Sequence, residues 1–130
     1  MGKDRSLFFI LLVVPLLILC NKKRLENEKW EDGSPKVKVE EVLSPIEGKI
    51  SIVRYYAEKG DTNNYQLEKY YDNDQLAEKG QYVNGVKEGV WAYWYKNGNK
   101  SIKENYKEGK RVGLYKSWYP DGKELEEIEF

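Results

Sequence analysis

The chain of 130 residues carries 22 basic and 22 acidic side chains, one Cys and no His. Balanced charge leaves no basic surplus to displace counterions from phosphates, so no nucleic-acid partner is expected. Without His there is no Ser-His-Asp or Cys-His relay and no usual zinc site, and a single Cys excludes an intrachain disulfide. Charged residues make up 34% of the chain, yet 14% are aromatic, an apolar payload that disordered chains of this polarity lack.

The N-terminus opens with a short basic head, Lys3 and Arg5, before an apolar run from Leu7 to Leu19. As a helix that run spans roughly 20 Å, short of the ~30 Å hydrocarbon core, and Pro15 disturbs it. Length and flanks predict a secretory leader over residues 1–20 rather than a membrane span. The run stops at Cys20, with Leu17 three positions before it. In this it resembles the lipobox of bacterial lipoproteins. The resemblance implies a cleaved leader, a diacylated Cys20 thiol, and acyl chains that hold the protein on a membrane of the bacterial cell envelope, on its extracytoplasmic side. Leu19 stands where that family prefers a small residue, and Lys22, Lys23 and Arg24 follow where basic residues oppose translocation. An uncleaved N-terminal anchor is the alternative.

Residues 21–36 are charged, with one Gly, one Pro and little that is apolar, and read as a flexible tether. Trp30 is its exception: docked on the domain, touching lipid head groups, or an exposed aromatic of no consequence. From residue 37 to 130 a single β-domain is expected, with 37–43 as an irregular first strand. Its organising feature is a period of 24 residues. Tyr71, Tyr95 and Tyr119 are in phase; so are Leu67, Trp91 and Tyr115, and Tyr82, Tyr106 and Phe130. Gly85 pairs with Gly109, Gly89 with Gly113, and Gly98 with Gly122. The segment Trp91–Tyr95 is aromatic and β-prone, and Asn97-Gly98 is a hairpin signal for a type I′ turn. Lys100 to Tyr106 returns as the partner strand, and a looser, Gly-marked connection follows from Lys107 to Gly113. Two strands per copy make an elongated antiparallel meander, about seven strands in all.

Alternation places Leu67, Tyr71, Trp91, Tyr93, Tyr95, Tyr115 and Tyr119 on one face. Tyr70, Trp94 and Trp118 fall on the other, among Lys and Glu, and form the candidate binding face. Ordinary packing of the sheet is the competing reading of these three rings. No catalytic residue, metal or cofactor is indicated. The pair Glu126-Glu127 points to opposite faces, the Ser residues have no candidate base, and Asp72-Asn73-Asp74 lacks the remaining ligands of a calcium loop.

These columns (Y-Y-x-N-G, then G-x-Y-x-x-G, then K-x-G-x-W) resemble the variant MORN repeat of bacterial proteins often labelled YwqK-family antitoxins. The resemblance covers roughly residues 45–130 and is clearest over 70–130, with Asp74, Glu104 and Tyr115 departing from the pattern. It implies an all-β array of hairpin repeats that serves as a binding platform. The function so indicated is a non-catalytic envelope lipoprotein that binds the membrane through its acylated N-terminus and a protein or other ligand through its sheet. The second reading is an antitoxin or immunity protein that neutralises a toxin by docking.

Overall fold

A computed structural model describes residues 29–32, 36–56 and 58–130. Every regular element among them is a strand: β1 (Val37–Ser44), β2 (Gly48–Tyr56), β3 (Tyr65–Tyr70), β4 (Leu76–Val83), β5 (Val86–Trp94), β6 (Lys100–Lys107), β7 (Lys110–Trp118) and β8 (Glu124–Glu129). Each is hydrogen-bonded, antiparallel, to the next in sequence, so the sheet is an open meander with no crossover. The count is eight, not about seven. Residues 37–43, expected as an irregular first strand, do form a strand, one residue longer and regular, paired with β2 in unbroken register from Val37↔Tyr55 to Ser44↔Gly48. Two residues of its β-branched run, Val37 and Val39, face Tyr55 and Val53, which suits a pleated surface.

Two kinds of turn join the strands, in the reverse of the expected assignment. Glu108-Gly109, in the stretch read as a looser connection, and Asn84-Gly85, 24 residues before it, are two-residue turns with positive φ at both positions. They close the flanking pairs Val83↔Val86 and Lys107↔Lys110 and have the type I′ form whose twist matches the strands. Asn97-Gly98 is different. Only Gly98 has positive φ; its N–H donates to the Tyr95 carbonyl, while the Tyr95 N–H reaches the Asn99 carbonyl. This is a type I turn closed by a left-handed glycine, and Tyr119 with Gly122 repeats it. Asp74, standing where the other turns have Gly, takes the same left-handed conformation at φ 61.

Side chains tie each hairpin to the next. The Tyr71 hydroxyl donates to the Trp94 carbonyl (2.9 Å) and the Tyr95 hydroxyl to the Trp118 carbonyl (2.8 Å). Asn73 and Asn97 donate to the carbonyls of Lys96 and Pro120 in the same way. Tyr119, on the hairpin that ends the sheet, is half exposed. Asp72 pairs with Lys96 at 2.5 Å, across the same boundary.

No second layer among the described residues covers the sheet, so each buried apolar side chain is covered by neighbours on its own face, Val37 and Val53 on one side and Ile50, Leu67 and Trp91 on the other. Val37, Ile50, Val53, Leu67 and Trp91 are buried, and Trp91 is wholly so, at 0% exposure. Its ring lies flat on Gly80, the partner of Leu67. A Cβ at residue 80 would stand 2.2 Å from the indole, so no other residue fits beneath it unless the ring moves. Gly80→Ala is therefore expected to destabilise the domain by about 2 kcal/mol through overpacking. A urea unfolding midpoint equal to that of the parent chain would show that the ring does not depend on this contact.

Candidate binding groove

The face that holds Trp91 carries a row of rings running across the strands. Tyr56 meets Tyr65 (5.8 Å between centroids), Tyr65 stacks on Tyr82 (4.9 Å), and Tyr82 meets Trp91 edge-on (5.1 Å). Trp91 continues to Tyr106 at 6.4 Å, and beyond it Tyr115 meets Phe130 edge-on at 6.4 Å. Cations alternate with these rings. Arg54 lies over Tyr65 (5.8 Å), Lys87 over Trp91 (4.1 Å), and Arg111 beside both Tyr115 (5.4 Å) and Phe130 (5.3 Å). Such contacts hold the long aliphatic stems against the rings and leave the charged ends in water.

Register explains the row. Tyr65 opposes Tyr82 and Tyr82 opposes Lys87, so three successive strands put ring, ring and cation side by side. Lys87 also reaches the Tyr93 hydroxyl at 2.6 Å and the ring of Tyr106. At the centre is Glu104, buried to 4% exposure. Its Oε1 accepts from the hydroxyls of Tyr93 (3.1 Å) and Tyr106 (3.0 Å). Arg111 Nε stands 2.8 Å from Oε2, an ion pair whose angle falls short of a hydrogen bond. Burial, with the charges of Glu78 and Glu104, pushes the Tyr93 phenol well above its ordinary range; burial, then Glu104, raises Tyr106. Both phenols stay protonated and donate.

Two hollows open along this face. One, about 450 Å³, is bordered by Glu104, Arg111, Tyr115, Glu126 and Phe130. The other, about 350 Å³, is bordered by Tyr71, Glu78, Trp94 and Tyr95. Tyr93 and Ile102 border both, so the two hollows adjoin along one line, which is the candidate groove.

Of the three rings taken from the sequence as a binding face, Trp94 borders the second hollow, at the end of β5 where Ser101 bulges out of register. Tyr70 is half-buried and its hydroxyl donates to Glu68 Oε2 at 2.7 Å. Trp118 is half-buried and stands at a similar register shift, at the end of β7. The continuous ring contacts run instead through Tyr65, Tyr82, Trp91 and Tyr106, and of the three only Tyr70 is shown on the opposite face. Cys20 lies outside the described residues. Trp30 is half-buried with Lys36 over its ring at 4.9 Å, and neighbouring Asp32 pairs with Lys59. Lys87, Glu104 and Arg111 went unnoticed as site residues. Their signal was present: Tyr82, Tyr106 and Phe130 form one column, and Glu104 breaks another.

Comparison of the chain with protein-family models, with curated proteins and with solved structures gives no match.

A second carboxylate cluster lies on the opposite face, where Glu68 accepts from Tyr55 (2.9 Å), Tyr70 (2.7 Å) and Lys79 (2.8 Å). Burial raises the Glu68 pKa, but Lys79 and the two phenols outweigh it, and the net shift is downward from 4.5. A carboxylate depressed in the folded state contributes stability that is present above its unfolded pKa and is lost as pH falls through the folded one. Urea midpoints followed downward from neutral pH should therefore drop in the acid range for the parent chain. In Glu68→Gln that acid limb should be shallower; an identical slope would remove Glu68 from the linkage.

Proposed function

We propose that the chain is a non-catalytic lipoprotein of the bacterial cell envelope whose sheet, an array of variant MORN hairpins, serves as a binding platform. The observation that carries the platform reading is the groove: aromatic rings, two cations and a buried carboxylate on the face of a single-layer sheet, with no described segment over them. The repeat reading is supported by bonds that recur 24 residues apart, Tyr71 to Trp94 and Tyr95 to Trp118, and by turns at Tyr95–Gly98 and Tyr119–Gly122. The non-catalytic reading is supported by the absence of His and by carboxylates held by phenols and cations rather than beside a nucleophile. Membrane attachment rests on Cys20 at the end of its apolar run.

Attachment is tested by growth with a labelled fatty acid and mass analysis of the mature N-terminus. A labelled chain that begins at Cys20, with label lost in Cys20→Ser, is the expected result. An unlabelled chain that still begins at Met1 would overturn it, and docking to a cytosolic toxin would then become the better reading.

A further inference from the structure

The larger hollow is a local exception to the 24-residue pattern. Glu104 occupies the position of Gly80, Tyr115 that of Trp91, and Ser117 that of Tyr93. Ser117 is buried with its hydroxyl unpartnered, and its cross-strand neighbours Ile102 and Glu126 both border the hollow. Where the preceding copy has a phenol, here a small buried side chain stands between two residues that border the hollow. Where that copy has bare backbone, here a carboxylate is installed.

The walls define the chemistry of an occupant. The charged groups on the hollow balance, Lys87 and Arg111 against Glu104 and Glu126, so no net field selects an ion. An apolar guest would leave these groups stripped of water. What remains is a neutral molecule with an apolar face and a rim of groups that both donate and accept. Phe130, 54% exposed, offers ring surface. Arg111 spends its Nε on Glu104, and its side chain is still 43% exposed, leaving its outer N–H groups to donate; Glu126 is exposed and accepts. Past Tyr93 lies the second hollow, where Trp94 and Tyr95 stand beside the Lys69–Glu78 pair (2.5 Å) and the exposed Glu47 adds an acceptor. The same combination of ring and paired charge occurs twice along one line, which fits a chain of similar units.

We propose that the groove binds a neutral oligosaccharide, with one sugar ring against Phe130 and Tyr115 between Arg111 and Glu126, and later units across Tyr93 towards Trp94. The inference rests on the platform reading and is independent of how the chain is attached to a membrane.

The test is calorimetric titration of the full chain, held in a zwitterionic detergent without a sugar head group, against cellohexaose, maltohexaose and chitohexaose. At least one hexaose should bind, and Phe130→Ala and Glu126→Gln should each weaken it about tenfold or more. Both residues are exposed, so the variants are expected to keep the parent's thermal unfolding profile, and circular dichroism checks this. Absence of heat with all three hexaoses, or binding unchanged in both variants, overturns the proposal. The platform reading fails separately, if the immobilised chain retains neither protein nor glycan from a solubilised envelope.

Discussion

The indole of Trp91 lies on the backbone of Gly80 with the ammonium of Lys87 over its other side. A single-layer sheet has no helix or second sheet to hide its apolar surface, so each large side chain must be covered by neighbours on its own face. Gly80 gives the ring a floor, Lys87 a roof, and Tyr82, Tyr93 and Tyr106 its walls. The rest of the row is built outward from this closed box, and it becomes progressively more open towards β8, where Leu125, Ile128 and Phe130 are exposed.

The groove follows from what happens when that box is not repeated. A Tyr at residue 115 is smaller than the indole it replaces, and the space under it no longer demands Gly. Glu104 takes that space and is made tolerable there by two phenolic donors and a guanidinium, since a buried carboxylate without partners would be strongly destabilising. The three departures at 104, 115 and 117 are thus compensating changes at one place.

Much of this architecture was readable from the residues. The all-β class and antiparallel order followed from short aromatic segments separated by turn residues. Strand count and turn type were less legible. A Glu-rich stretch such as Val37–Ser44 looks irregular until its partner is known, and Asn-Gly is compatible with both the I′ turn at residues 84–85 and the glycine-closed type I turn at 97–98. The number of residues flanking each turn decides between them, and that depends on register. The rings at Tyr70, Trp94 and Trp118 stood out because aromatics are conspicuous in sequence. Lys87 and Arg111 did not, because a Lys or Arg in a charged chain is unremarkable until the strand beside it supplies a ring. Glu104 was visible only as an irregularity, and its meaning lies in Tyr93 and Tyr106, which neither adjoin it nor share its column.

The consecutive pairing of all eight strands places β1 and β8 at opposite edges, joined only through every hydrogen-bonded ladder between them. A force applied between the first strand and an object held near the last would act across each ladder in series, and no ladder would share the load with another. Such a sheet peels from an edge, one hairpin at a time, at low force, and each hairpin released lengthens the molecule by its own contour. The domain would behave as a compliant spring rather than a rigid strut. The side-chain bridges from Tyr71 to Trp94 and from Tyr95 to Trp118 are the catches that set the force at which each step occurs.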